Sequence, residues 1–178
     1  MKNYDFAQKF HALYDKAAGL YGGGQRGAGT FFTAEETAWL AANGITPQHL
    51  YDYAEDQTNY GEPGYDNALA IELLRRDYFQ NVQGAKKSTA VLAEAALPSK
   101  DASIRGIEWL PRLIPKTRAK LRGELPESLM YCCGGDRKFF KASDILPSEF
   151  LAVVSRSEKD DGPIVDWVER RRKSGLGG

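Results

Sequence analysis

Two thiols, Cys132 and Cys133, stand side by side in Met130-Tyr131-Cys132-Cys133-Gly134-Gly135-Asp136-Arg137-Lys138-Phe139-Phe140, and the chain has no other cysteine. Such a pair could ligate a metal, cycle as a disulfide, supply a nucleophile, or simply belong to a turn that starts a helix. A structural zinc site needs four ligands, whereas the two histidines, His11 and His49, are remote and no CxxC or HxxxH spacing occurs, so no metal is expected. Neighbouring cysteines rarely bond to each other, because consecutive side chains diverge and the linkage strains the peptide. Free thiols are therefore expected. For Cys133 two readings remain. It is a thiolate at a helix start, favoured by Arg137 and Lys138 and by the positive end of the helix, or it is a small buried hydrophobe beneath the aromatic pair. Asp136 reads as the N-cap of a helix over Arg137–Ser143, as a carboxylate paired with Arg112 or Arg118, or as both.

The cations upstream fit an anion. Arg112 and Lys116 are four apart and share a helix face, with Arg118 displaced around it. They could clamp a carboxylate or phosphate, or they form an ordinary solvated face. Tyr60 and Glu62, in Asn59-Tyr60-Gly61-Glu62-Pro63-Gly64, could close over a pocket or sit in a plain turn. Trp39, Trp109 and Trp167 read as core, Trp109 also as a pocket wall. Gly22-Gly23-Gly24-Gln25-Arg26-Gly27 lacks the Lys-Ser/Thr ending of a phosphate loop. Glu169 to Lys173 reads as a solvated, basic helix end, and Gly177-Gly178 as a flexible tail.

These residues need elements to hold them, and the pattern is helical. Phe6, Phe10, Leu13, Ala17 and Leu20 recur at spacings of three and four, and a run of glycines follows. Thr33 with Glu36 makes a capping box, and Thr46-Pro47 opens a helix to about Gln57. Leu69, Leu73 and Tyr78 mark another helix. Ser88 to Leu97 suggests a short alanine-rich helix before a polar linker at Ser99 to Ser103. Trp109 to Gly123 is helical with Pro111 and Pro115 delaying or kinking it. Pro147 and Gly162-Pro163 open the last two helices. Period-two alternation is nearly absent, so a substantial sheet is not expected. The expected fold is all-α, with an N-terminal half over 1–83, a connecting segment over 84–106 and a C-terminal half over 107–178, packed as one globular unit.

The halves also resemble each other. Leu13, Lys16, Ile45 and Pro47 recur one hundred residues later as Leu113, Lys116, Ile145 and Pro147. Phe31-Phe32 answers Phe139-Phe140 if the first copy carries eight extra residues. The matches fit a degenerate duplication and also chance agreement between helical sequences.

The totals set bounds. The chain has 178 residues, 42% of them hydrophobic and 27% charged, and basic and acidic side chains balance to a net charge of zero. Bulk charge gives no reason to expect nucleic acid or membrane as a partner. No apolar run approaches the ~20 residues of a membrane span. The opening residues have no apolar signal region, and two free thiols fit a reducing cytoplasm.

Arg105 to Phe140 resembles the uncharacterised bacterial family domain of unknown function 5069 (DUF5069). The family's pattern falls on Leu110, Pro111, Arg112, Lys116, Arg118, Ala119 and Gly123, then on Tyr131, Cys133, Asp136, Phe139 and Phe140. The clear likeness covers about residues 105–170. The NYGEP stretch and Arg75-Arg76-Asp77-Tyr78-Phe79 are similar to members with a longer N-terminal part. Pro115 stands where the family usually has an acidic residue, so no role for that carboxylate carries over. The resemblance implies a bacterial protein and a site around these residues, and no particular reaction.

The functional expectation is a small polar or anionic metabolite bound between the halves by Trp109, Arg112, Lys116, Arg118, Tyr131, Tyr60 and Glu62, with no cofactor. If the site is also catalytic, Cys133 is the nucleophile or redox group, Asp136 orients it and Arg112 holds the anion. The alternative is a protein–protein interaction module that presents Tyr51, Tyr53, Tyr60 and Tyr65 on an exposed aromatic surface.

Overall fold

The computed structural model describes residues 3–157 and 159–175; the Gly177-Gly178 tail lies outside them. The fold is all-α, and the chain divides into two compact units, Met1–Lys86 and Lys87–Gly178.

In the first unit, α1 (Phe6–Gly22) buries Phe6, Phe10, Leu13, Tyr14, Ala17 and Tyr21 along one face, as the three-and-four spacing requires. Helix α2 (Ala34–Ala42) starts at the Thr33 capping box: Glu36 N donates to Thr33 Oγ1 at 3.2 Å, and Thr33 N donates to Glu36 Oε2 at 2.8 Å. Helix α3 (Pro47–Tyr60) has proline in its first turn and is the main packing partner of α1. It runs beyond Gln57 because the left-handed cap falls on Gly61, at φ +72°, a conformation glycine adopts without strain. Helix α4 (Tyr65–Asp77) continues into a π-helical turn over Tyr78–Val82.

The second unit opens without the expected Ser88–Leu97 helix; one 3₁₀ turn forms at Glu94–Ala96. So short a helix has little stability of its own. The segment instead bonds to Glu124, with Leu92 N donating to its carbonyl at 2.7 Å and Ser88 Oγ to its Oε1 at 2.8 Å. The polar linker closes as a small hairpin of β1 (Ser103–Ile104) and β2 (Ile107–Glu108), antiparallel with Ile104 opposite Ile107. Its two turn residues, Arg105 and Gly106, both have positive φ, as tight hairpins prefer. Helix α5 (Leu110–Arg122) keeps Pro115 inside at the loss of one backbone hydrogen bond. Helices α6 (Gly134–Ala142), α7 (Pro147–Arg156) and α8 (Gly162–Gly175) complete the unit. Its core gathers Leu110, Leu113, Ile114, Phe140, Phe150, Leu151, Val154, Ile164 and Val168, all buried.

Within each unit one joint is built alike. Asn43 and Ser143 follow α2 and α6 and are buried. Gly44 N donates to Ala41 O and Ile45 N to Leu40 O; one hundred residues later Asp144 N donates to Lys141 O and Ile145 N to Phe140 O. Gly44 and Asp144 both have positive φ. Phe31 and Phe32 precede α2, whereas Phe139 and Phe140 lie inside α6, and the residues one hundred positions before that pair, Trp39 and Leu40, lie inside α2. Among the described residues no helix is long and apolar enough to cross a membrane.

Candidate functional site

The turn before α6 is organised by one carboxylate. Asp136 is wholly buried, and each of its oxygens is engaged. Oδ1 accepts the indole N–H of Trp109 at 3.0 Å; Oδ2 accepts the Lys116 ammonium at 2.7 Å and the backbone N–H of Cys132 at 2.9 Å. Asp136 is therefore not the N-cap. That place belongs to Cys133, whose side chain makes no cap bond, and α6 begins three residues earlier than the sequence pattern indicates. Asp136 reaches back from the first turn to a free backbone donor, as acidic residues at this place commonly do. Arg137 completes the turn by donating to the Cys132 carbonyl at 2.7 Å. Cys132 itself takes a left-handed φ of +70° and is fully buried.

Lys116 is the ion-pair partner of Asp136 away from water. Its ammonium also donates to Cys133 Sγ at 3.2 Å. Burial pulls the lysine pKa down, but the adjacent Asp136 and Cys133 outweigh it, and the net direction is up. The Cys132 thiol is pushed up to about 12, chiefly by burial and further by the Asp136 charge. Burial likewise holds the Tyr131 phenol far above its ordinary range, and its hydroxyl donates to the Pro147 carbonyl at 2.8 Å. In the first unit a more exposed version of the same pair occurs: Lys16 Nζ lies 2.6 Å from Glu36 Oε2, and that oxygen also accepts the Thr33 N–H.

The second glycine of the motif explains the position of Trp109. A Cβ at Gly135 would fall 2.4 Å from Trp109 Cζ2 and 2.6 Å from Cη2, so the indole lies directly on the backbone of α6. Held at its N–H by Asp136 and at its edge by Gly135, the ring forms one wall of a cleft of about 540 Å³. Gly106 and Glu108 contribute from the hairpin, Lys138, Phe139 and Ala142 from α6, Ser143 from its end, Lys100 from the preceding loop and Arg172 from α8. The cleft lies within the second unit. Lys100, Lys138 and Arg172 have no ion-pair or hydrogen-bond partner among the described residues. Ser143 Oγ is buried and unpartnered, in a residue only 1% exposed. A buried hydroxyl without a partner is costly, which makes it a marker of an unfilled contact.

Arg112, Arg118, Tyr60 and Glu62, also expected at the site, do not line this cleft. Arg112 donates to the Pro98 carbonyl at 2.9 Å and lies 3.7 Å from Glu94, tying the opening loop to α5. Arg118 donates to the Ser157 carbonyl at 2.9 Å and pairs with Asp161 at 2.7 Å, bracing the α7–α8 connection. Tyr60, the 70% exposed last residue of α3, and Glu62, in the turn after it, belong to the first unit. Of the aromatic set proposed for an interaction surface, Tyr53 is buried, Tyr51 packs on Tyr21 and Phe31, and Tyr65 packs on His11 and Tyr14. Among the described residues no group of three His, Cys, Asp or Glu side chains is placed to hold a metal. Sequence reasoning passed over Lys100, Ser143 and Arg172. Their one legible signal is that Ser143 holds the place of Asn43 at an equivalent helix end.

Residues 94–175 match the model of the family described as Domain of unknown function (DUF5069). That stretch resembles DUF5069. Its span takes in α5 to α8, the hairpin, the Lys116–Asp136 pair and every residue of the cleft. No curated protein and no solved structure matches the chain.

Proposed function

We propose that the DUF5069-like stretch of this chain binds a small anionic metabolite in the cleft beside Trp109. The observation that carries this reading is the convergence of three cations, Lys100, Lys138 and Arg172, unpaired among the described residues, on a cleft that is also lined by Ser143, whose buried hydroxyl has no partner among them. Surface cations are commonplace, but a concave site with convergent polar groups and an aromatic wall is the usual form of a small-molecule pocket. Cys133 does not line the cleft, so the proposal is for binding, and its contact with Lys116 belongs to the support beneath Trp109. Two free thiols fit the reducing cytoplasm of a bacterium.

The reading extends to the first unit, which we take as a degenerate copy of the second. The like joints after α2 and α6 and the like Lys–acid pairs support a common origin. In the first copy the place of the cleft is filled by its own side chains. Phe6 stacks on Trp39 at 5.4 Å, Lys9 lies over the same indole at 5.2 Å, and Asn43 accepts from Arg76 Nε at 2.7 Å. Among the described residues the second unit has neither plug nor partner at the matching places, which supports reading it as the binding copy.

The test is thermal unfolding with inorganic phosphate and sulfate as probes. Ligand that binds only the folded state raises Tm with concentration. The expected result is a saturable rise in the native sequence that disappears in the Lys138→Glu, Arg172→Glu double variant. A rise that persists in that variant, or no rise at all, contradicts the proposal.

A further inference from the structure

Resting on that reading, we infer that the anion is carried on an aromatic ring, as an aryl or heteroaryl phosphate monoester, with the ring lying against Trp109 and Phe139. Three observations lead there. First, the indole N–H of Trp109 is already spent on Asp136, so what the ring offers the cleft is its hydrocarbon face. Phe139 lines the same cleft, and two aromatic surfaces favour a planar partner, for which stacking is worth a large share of binding.

Second, the first unit shows what fills this place when the protein fills it itself. Helix α1 begins one turn earlier, relative to the shared joint, than α5 does, and that turn carries Phe6 onto Trp39. The Arg76 guanidinium then lies 5.0 Å from the Phe6 ring centre while bonding Asn43. The corresponding stretch of the second unit is the hairpin, with Gly106 at the cleft. An aromatic ring with a polar group reaching the helix-end residue is thus the shape of the internal plug. A ligand of the same form would restore both contacts, placing a ring on the aromatic wall and an acceptor near Ser143.

Third, the charge selects a dianion. Lys100, Lys138 and Arg172 face one carboxylate, Glu108, leaving an excess of two positive charges around the cleft. A phosphate monoester carries about −1.5 to −2 at neutral pH, whereas a carboxylate carries one charge. The cleft volume of about 540 Å³ is within the range that holds a ligand of one or two rings.

Calorimetric titration with three probes separates this inference from the one beneath it. Phenyl phosphate should bind about tenfold or more tighter than inorganic phosphate, the scale of one stacked ring. Cyclohexyl phosphate, equal in bulk but not planar, should stay near inorganic phosphate. Ala142→Trp, at an exposed site on the cleft rim, should abolish phenyl phosphate binding while the protein keeps its Tm. Equal affinity for phenyl and inorganic phosphate overturns the ring and leaves the anion site standing. Equal affinity for phenyl and cyclohexyl phosphate overturns aromatic stacking in favour of plain apolar burial. Phenyl phosphate binding that survives Ala142→Trp moves the ligand out of this cleft, and no binding by any probe overturns both proposals.

Discussion

An ammonium and a carboxylate that are both closed off from water depend on one another, and Lys116 and Asp136 are such a pair: 2.7 Å apart, with side chains 4% and 0% exposed. Removing one partner strands the other charge in a medium that cannot solvate it. Asp136→Asn should therefore cost about 3–5 kcal/mol in urea unfolding. Glu36→Gln, which breaks the matching pair of the first unit where both side chains still see solvent, should cost at most about 1 kcal/mol. Comparable losses at the two positions would refute the assignment of Asp136 as a buried organiser. Asp136 and Lys116 were both legible as candidates, but their partnership was not. The sequence offers Arg112 and Arg118 as equal candidates, and helix periodicity cannot say which cation faces a carboxylate across a turn. Arg112 and Arg118 are taken by the carbonyls of Pro98 and Ser157, acceptors that leave no trace in a side-chain pattern.

At the scale of elements, the helices declared themselves where their ends carry specific chemistry. Thr33 with Glu36, Pro47, Pro147 and Gly162-Pro163 each sit where a helix starts. Ser88 to Leu97 misled because alanine content speaks only to propensity, and the bonds to Glu124 win over it. The start of α6 was placed late because Gly134-Gly135 reads as loop. Gly135 is there for the close approach of Trp109, a contact that spans two elements and is invisible locally. Gly135→Ala should force the indole off the helix, with a stability loss of about 1–3 kcal/mol and a changed near-ultraviolet circular dichroism. Gly134→Ala, where an added methyl would meet nothing closer than Arg137 Nη2 at 3.8 Å, should stay within about 0.5 kcal/mol of the parent. If the two variants behave alike, Gly135 is not the seat of the ring.

At the scale of the molecule, composition and periodicity sufficed for an all-α chain, because amphipathic spacing is a local property. The cleft was not legible. Its cations come from a loop read as a linker, Lys100, and a helix end read as solvated, Arg172, and only tertiary folding brings them beside Lys138. What the sequence did hold was the asymmetry between the units: Gly135, Ser143 and Trp109 in the second stand against Glu35, Asn43 and Lys9 in the first. The central claim is that this asymmetry makes one unit a binding site and the other a filled copy. The chain's three tryptophans report on it separately, Trp39 from the first unit's plug, Trp109 from the cleft wall, and Trp167 from α8 against Phe150. In a nitrogen-15 correlation spectrum, titration with inorganic phosphate should move the Trp109 indole signal along a saturable curve and leave those of Trp39 and Trp167 in place. An unmoved Trp109 signal at phosphate concentrations that stabilise the protein, or a Trp39 signal that moves with it, would contradict the account.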